Sequence, residues 1–383
     1  MKIAIASLGR FHVLDLAREL EARGADIAFY SYVRRARAER FGLPRRCHKA
    51  LFPLVAPALA WQYKAGNVLP GLQEKAVVHA LDAAVIAKLE PCDVFICMSG
   101  TYLRAARHAK ARYGAKIYLE RGSRHIRSQR AILADLGARL PSDFIVAREE
   151  TGYALADRIT VPSSHVVESF LQEAPALGDK LFVNPYGVDL AQFPQRTAGP
   201  PDRPRTVLFV GGWSRRKGVD VLVEAVRMVP DARLLHVGGI VDMPFPDDPR
   251  FTHVGPVPQW ELTNFYAKAH VFALASREEG LALVQAQALA SGLPLVCTDR
   301  TGGGDLGLSG ALARRIAVVP RGDATAFAAA IQAQLSKPPE PLPEADRALL
   351  DWSAYGARYF AELSGLGYDT DSFPTRPVRS AAS

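Results

Sequence analysis

Cysteine is scarce in this chain: four in 383 residues, Cys47, Cys92, Cys97 and Cys297. No two form a C-x-x-C pair, so the spacing offers neither a zinc site nor a redox motif. Lone cysteines of this kind suit a reducing compartment, where they act as small core residues. A cytoplasmic protein is therefore expected. Long apolar runs are also missing. The longest after the N-terminus, near Leu51–Trp61, contains Pro53 and Pro57 and falls short of the ~20 residues a spanning helix needs. Met1–Ala6 is too brief for a signal peptide and is followed by Gly9-Arg10, so it reads as a buried first strand. The residues after that strand, Ser7-Leu8-Gly9-Arg10-Phe11-His12, lack G-x-G-x-x-G, which removes the fingerprint of a NAD-binding oxidoreductase. No D-x-D lies in a fitting context, and no metal is expected.

What is present is ordinary for a globular protein: 49% apolar and 22% charged residues. At this length the chain is expected to divide into more than one core, because single cores stop growing near ~250–300 residues. The net charge of +8 is uneven. Residues 1–150 hold 25 Lys and Arg against 14 Asp and Glu, net +11; the remainder holds 22 against 25, net −3. A basic face attracts phosphate or anionic lipid, or is simply solvated. Aromatics do not interleave with the arginines as a nucleic-acid stacking platform requires, so no nucleic-acid partner is expected. The run Arg34, Arg35, Arg37, Arg40, Arg45 and Arg46 fits a lipid diphosphate, an anionic membrane face or plain solvent.

Short β-branched runs alternate with amphipathic stretches throughout. Lys2–Ala6, Ile27–Tyr32, Asp93–Met98, Lys116–Leu119 and Arg158–Val161 read as strands of the first half. Phe11–Arg23 reads as a helix closed by Gly24. Thr206–Val210, Ala232–Val237, Val271–Ala275 and Leu295–Cys297 read as strands of the second half, with a helix over Gly218–Val229. This alternation implies parallel βαβ units. Pro194–Pro204 reads as an exposed linker, and the tail from about Phe373 as disordered. Ligands of such sheets bind outside the carboxyl ends of the strands, so the chemistry is sought in loops that follow strands.

Two such loops are rich in chemistry. Phe209-Val210-Gly211-Gly212-Trp213-Ser214-Arg215-Arg216-Lys217-Gly218 runs from a strand through a glycine pair into a basic cluster. Backbone N–H groups at such a turn can cradle phosphate, and Lys217 adds a point charge. Ser276-Arg277-Glu278-Glu279-Gly280-Leu281-Ala282-Leu283-Val284-Gln285-Ala286-Gln287 follows a second strand and opens a helix, a ready anion site. Gly292-Leu293-Pro294 stops that helix.

The stretch Glu279–Val296, E-G-L-A-L-V-Q-A-Q-A-L-A-S-G-L-P-L-V, resembles the signature E-G-F-G-L-V-x-x-E-A-M-A-x-G-x-P-V-V of the GT-B glycosyltransferases, specifically the large retaining family 4. The loop before it resembles that family's G-R-L-x-x-x-K-G-x-D. Asn184–Phe193, Asp157–Ser163, His253–Val257, Gly302–Asp305 and Asp351-Trp352 resemble further family segments in family order. The resemblance implies an α/β GT-B fold: two Rossmann-like domains facing across a cleft, with a C-terminal helix crossing back to the N-terminal domain. The implied limits are 1–178 with a returning helix about 351–372, 179–350, and a tail 373–383.

The resemblance further implies a metal-independent, retaining hexosyltransferase that needs no cofactor. Its donor is a nucleotide-sugar, its product a nucleoside diphosphate, and its acceptor a saccharide or lipid-linked saccharide. Glu279 would face the sugar. Gln287, in place of the family glutamate, would meet the ribose through its carbonyl oxygen or lie on the helix surface. Lys217 would clamp the diphosphate. Gly212 stands where the family has arginine, so Arg215 or Arg216 would have to substitute. Gly211, Gly255, Val257, Gly280, Leu281, Ala282 and Leu283 would complete the donor site.

Glu120-Arg121-Gly122-Ser123-Arg124-His125-Ile126-Arg127-Ser128-Gln129 is similar to D-R-G-S-x-H-I-x-x-Q of a subgroup in bacterial surface-polysaccharide pathways, with Glu120 in place of the aspartate. His125 would reach the reacting centre or cap locally. Gly9, Arg10, Ser99, Gly100, Glu120, Arg121 and Ser123 would form acceptor or cleft loops. Peripheral contact at the inner membrane face is expected. The losses at Gly212 and Gln287 leave one rival open, a weak sugar-nucleotide-binding or scaffold protein.

Overall fold

The computed structural model describes residues 1–65, 68–196, 204–337 and 340–366. Most of the expected linker Pro194–Pro204 and the whole expected tail 373–383 lie outside these residues. The chain forms two compact units, Met1–Pro162 with Val167–Asn184, and Ser163–Val166 with Pro185 onward.

The first unit is built on a seven-stranded sheet. Its strands are β1 (Lys2–Ser7), β2 (Asp26–Ser31), β3 (His48–Ala50), β4 (Val94–Met98), β5 (Lys116–Glu120), β6 (Arg158–Val161) and β7 (Leu181–Val183). They lie in the order β3-β2-β1-β4-β5-β6-β7, and every pairing is parallel. Helices on both faces bury the central strands, which is why Ile3–Ala6 and Val94–Cys97 read as continuous apolar runs and not as alternating ones. The helix Phe11–Ala22 buries Val13, Leu14, Leu16, Ala17 and Leu20.

The second unit repeats the plan with β8 (Arg205–Val210), β9 (Ala232–Val237), β10 (Phe251–Val254), β11 (Val271–Leu274), β12 (Leu295–Thr298) and β13 (Ile316–Val319). The order is β10-β9-β8-β11-β12-β13, again all parallel. The helix Val219–Met228 covers it with Val219, Val221, Leu222, Ala225 and Val226. All four cysteines are buried and unpaired. Burial pushes the Cys92 thiol up to about 11 and that of Cys297 to about 12, so both stay protonated at neutral pH.

The nine strands expected from sequence all form. β3, β7, β10 and β13, which the sequence reading does not name, add to the sheets. β7 explains why the division falls at Asn184/Pro185 and not at 178/179: the chain stays paired to β6 through Val183. The helix Trp352–Leu363 groups with the second unit, where the expectation returned it to the first. Its anchors lie there: Trp352 N–H donates to Val188 O at 3.2 Å, Val188 N–H to Leu350 O at 2.8 Å, and Arg358 to Pro185 O at 2.8 Å. Two motifs distant in sequence, Asn184–Phe193 and Asp351-Trp352, thus meet.

In each sheet the strand order reverses direction at one point, between β1 and β4 and between β8 and β11. The loops leaving those strands flank a crevice at the carboxyl edge, the place where such sheets take ligands.

Candidate functional site

At the switch point of the second sheet the loop after β8 meets the loop after β11. Lys217 ends a one-turn helix, Arg215–Lys217, capped by the Ser214 hydroxyl. Gly218 follows with φ +65°, and a Cβ there would overlap the carbonyl oxygen of Ala275. Only glycine lets the chain turn into the helix Val219–Met228 this close to the end of β11. The turn aims Lys217 at the second loop, where its Nζ bonds Glu279 Oε1 directly.

Arg216 joins them. Its guanidinium donates to Glu279 Oε1 at 3.1 Å, Glu278 Oε2 at 3.0 Å and Glu278 O at 2.9 Å. Burial works against its charge, but Glu279 and Glu278 outweigh that and raise its pKa above the ordinary arginine value. Of the two arginines that sequence offers in place of the missing one at Gly212, the structure brings Arg216 to Lys217. The side chain of Arg215 is exposed; its backbone N–H donates to Asp242 at 2.8 Å. Arg277 closes the loops by a two-pronged bond to Asp220 at 2.7 and 2.6 Å. Burial opposes the Asp220 charge, yet Arg277 holds its pKa below the usual carboxylate value. The result is two cations and two carboxylates that share a switch point, an arrangement able to bind a diphosphate and orient a polar ligand beside it.

The Glu279 loop is fixed from behind by residues that sequence reasoning missed. His165 Nε2 lies 2.7 Å from Glu279 O, and Ser163 Oγ donates to Gly280 O at 2.8 Å while lying 3.0 Å from His165 Nδ1. Glu279 N–H donates to Arg300 O at 3.0 Å. Gly302, at φ +69°, lies where a Cβ would overlap Gly280 O, which gives the glycine-rich turn after β12 its role. Ser163 ends the family-like segment Asp157–Ser163 and His165 follows it, but nothing in that run names a partner. Only the fold brings them within reach of residues more than a hundred positions later.

The helix Leu283–Ala290 begins here, so the backbone of Gly280, Leu281 and Ala282 precedes its first turn, whose N–H groups lack intrahelical partners. Those three residues are buried and Leu283 is half-buried. Gln287 is buried, not on the helix surface, and its carbonyl oxygen accepts from the buried Tyr266 hydroxyl at 3.0 Å. One lone pair and the NH2 group remain for another partner. Gly211 and Gly212 are half-buried at the end of β8, where Gly211 O accepts from His236 Nε2 at 2.8 Å. That bond places the proton on Nε2, so His236 Nδ1 accepts from His253 Nδ1 at 2.9 Å. Burial depresses His236 to about 4, and the ring stays neutral beneath the loop. Gly255 and Val257 leave β10 at the same edge, Gly255 exposed with open space about its Cα.

The first-unit residues behave differently. Gly9 and Arg10 follow β1; Arg10 stacks on Phe41 at 3.6 Å and pairs with Asp15 at 3.5 Å. Ser99 and Gly100 follow β4, and Ser99 Oγ bonds Glu149. Glu120, at the end of β5, is buried and bonds His12 Nε2 at 2.8 Å. Arg121, expected at an acceptor loop, is buried with its guanidinium spread over Glu149 at 3.0 Å, Gln129 at 2.8 Å and Arg124 O at 2.9 Å. It braces the loop. Ser123 accepts from Gln129 at 3.1 Å. His125 is 2% exposed. It caps the helix Ile126–Asp135, its Nδ1 accepting from Arg127 N–H at 3.3 Å, and packs between Tyr153 and Phe170. Burial lowers its pKa. Of the two roles open to it in sequence, the structure shows the local cap. Among the described residues no cluster suited to a metal ion occurs, and no helix is long and apolar enough to cross a membrane.

Comparison with known proteins agrees with this geometry. Residues 204–337 match the family model described as Glycosyl transferases group 1. Sulfoquinovosyl transferase SQD2 of Arabidopsis thaliana is 30% identical over 165 residues, 39% of this chain and 31% of that protein. The matched stretches span 31% to 44% of the length of the curated relatives. Among solved structures, a sucrose-phosphate synthase from Thermosynechococcus elongatus superposes with TM-score 0.66 at 20% identity, covering 96% of this chain and 99% of that one. Anabaena Alr3699/HepE in complex with UDP and glucose superposes with TM-score 0.65 at 13% identity, covering 95% and 100%. Residues 204–337 thus resemble the group 1 glycosyl transferases, and the two parallel sheets have the GT-B fold of these solved neighbours.

Proposed function

We propose that this protein is a retaining glycosyltransferase of the family 4 type. It moves a hexose from a nucleotide-sugar to a saccharide or lipid-linked acceptor in surface-polysaccharide assembly, at the cytoplasmic face of the membrane. The observation that carries this reading is the convergence of Lys217 and Arg216 on Glu279 at the switch point of the matched domain. The GT-B neighbour in complex with UDP-glucose supports the choice of donor class.

In the proposed reaction the acceptor hydroxyl attacks the anomeric carbon on the face from which the diphosphate leaves. The bond between that carbon and the β-phosphate oxygen breaks, the new glycosidic bond forms, and the hydroxyl proton passes to the departing phosphate. Lys217 and Arg216 stabilise the charge that builds on the leaving group. Glu279 orients the sugar, and Gln287 meets the ribose. No metal takes part, since two cationic side chains do the work of one.

One observation favours a second reading: Tyr266 already occupies one acceptor site of Gln287, as in a weak donor-binding or scaffold protein. A thermal-shift screen against UDP, GDP, dTDP, ADP and CMP without metal separates the two. At a hundred times its dissociation constant a ligand stabilises by about 2.7 kcal/mol. A shift with one diphosphate, lost in Lys217→Ala, followed by turnover of the matching nucleotide-sugar, is expected. No shift with any of them would overturn the donor-site reading. A shift without turnover would favour the scaffold.

A further inference from the structure

His236, on β9, is fully buried in the second unit and has no part in the chemistry above. Sheet register sets it between Phe209 of β8 and His253 of β10. Its ring lies close to parallel with Phe209 at 5.3 Å, Phe245 at 5.9 Å and His253 at 4.8 Å between centroids. Trp213 lies against it at 4.9 Å. Phenylalanine would serve such a stack equally well, since a buried imidazole costs free energy unless its nitrogens are bonded. Both nitrogens are bonded here. Nε2 donates to Gly211 O at 2.8 Å, and Nδ1 accepts from the exposed His253 at 2.9 Å. A carbonyl only accepts, so the direction of both bonds is fixed.

The peptide that receives this bond belongs to the loop after β8. Gly211 N–H donates to Val237 O at 2.9 Å and Trp213 N–H to Gly239 O at 2.8 Å. The loop is thus laced to the one that follows β9. A Cβ on Gly238 would lie 2.1 Å from Gly211 O, so only glycine lets the His236 ring and the carbonyl meet there. In a planar trans peptide the C=O and the next N–H point in opposite directions. Gly211 O faces His236, so Gly212 N–H faces away from the aromatic stack. Among the described residues that N–H has no partner. Lys217 runs alongside the same peptide, with its Cε 4.0 Å from where a Gly211 Cβ would sit. Position 212 offers its backbone alone, and a Cβ there would come within 3.0 Å of Val241.

We propose that His236, backed by His253, is a positioning residue of the donor site, holding the Gly211–Gly212 peptide so that Gly212 N–H donates to the diphosphate beside Lys217 and Arg216. A bond accepted by the carbonyl also polarises the peptide and strengthens its N–H as a donor. The inference rests on the proposed function for the diphosphate as ligand.

UDP, GDP, dTDP and ADP are titrated by calorimetry into the full chain, together with the nucleoside of whichever binds. His236→Phe keeps the stacked ring and removes the N–H. It should raise the diphosphate Kd about five- to ten-fold and leave the nucleoside Kd unchanged. His236→Gln carries an amide N–H near the place of Nε2 and should return the diphosphate Kd to within about two-fold of wild type. Thermal melts show whether each variant folds. A second measurement needs no variant at this position: in protein labelled with 15N-glycine, the Gly212 amide signal should move on saturation with the diphosphate and stay in place with the nucleoside. A diphosphate Kd in folded His236→Phe equal to wild type would overturn the proposal. So would equal losses for diphosphate and nucleoside, or a Gly212 signal that the diphosphate leaves in place. Wild-type protein that binds none of the four would overturn the donor-site reading itself, and this inference with it.

Discussion

Glu279 is the carboxylate that Lys217 and Arg216 both hold, and an incoming diphosphate must compete with it for the same N–H donors. Glu279→Gln keeps the shape and removes the charge. A hydrogen bond to a charged partner contributes about 1.5–3 kcal/mol and a neutral one about 0.5–1.5. Weakening the bonds of both cations to this competitor, while Arg216 keeps its bonds to Glu278, should therefore favour the nucleoside diphosphate by about 1–2 kcal/mol, which is a 5- to 30-fold lower Kd. Lys217→Met removes one charge-assisted contact to the diphosphate and should raise Kd about 10- to 150-fold. In the Lys217→Met background only the bond of Arg216 to Glu279 remains to be weakened, and the gain from Glu279→Gln should fall to roughly half in free-energy terms. Titration calorimetry with the diphosphate that stabilises the protein reads all four states of this cycle. Turnover should fall in both single variants, since the sugar loses its orienting carboxylate in one and the leaving group its cation in the other. The reasoning is refuted if Glu279→Gln weakens diphosphate binding as Lys217→Met does.

Four further outcomes are expected. Gln287→Glu should tighten ribonucleotide binding about five-fold by restoring a charge-assisted bond to the ribose, and a 2′,3′-dideoxy nucleotide should show no such gain. Gly218→Ala forces a side chain onto the Ala275 carbonyl at φ +65° and should cost about 2–5 kcal/mol in urea unfolding; an unchanged midpoint would contradict the packing. Arg121→Met leaves the buried Glu149 without its cation and should destabilise by about 3–5 kcal/mol, whereas unchanged stability with a raised acceptor KM would return Arg121 to substrate contact. His236, at about 4 in the fold against about 6.5 unfolded, takes up its proton first in the unfolded chain. Its share of stability is complete above pH 6.5 and is lost as pH falls toward 4, on the order of 3 kcal/mol; the wild-type-minus-His236→Phe difference in stability should trace that loss.

Much of this was legible in the sequence, for identifiable reasons. β8 and β11 are buried on both faces and read as apolar runs. Lys217-Gly218 and Glu279-Gly280 follow them directly, so a period of hydrophobicity and a glycine located the site. β3 and β10 were not legible because they are edge strands. His48-Lys49-Ala50 and Phe251-Thr252-His253-Val254 carry polar residues that no alternation rule assigns. The choice between Arg215 and Arg216 was illegible too, since adjacent residues of one turn point in different directions and only the turn decides which meets Glu279. The roles of His125 and Arg121 were open because a capping histidine and a bracing arginine have the same composition as contacts to a ligand. The contacts of Ser163 and His165 were invisible, since their partners lie over a hundred residues away.

That last contact has a practical consequence for dissecting the molecule. The matched domain begins at 204, and a fragment started at Pro185 would hold Lys217, Arg216, Glu279 and Gln287. It would lack Ser163 and His165, which belong to the second unit although the chain on either side of Ser163–Val166 belongs to the first. The carbonyls of Glu279 and Gly280 would lose their partners, and the loop bearing Glu279 would keep its bond to Arg300 O but lose two of its tethers. The second unit is thus discontinuous in sequence, and a single cut cannot release it whole. An excised C-terminal half should bind nucleotide less well than the intact chain, and splicing Ser163–Val166 back through a linker is the way to restore it.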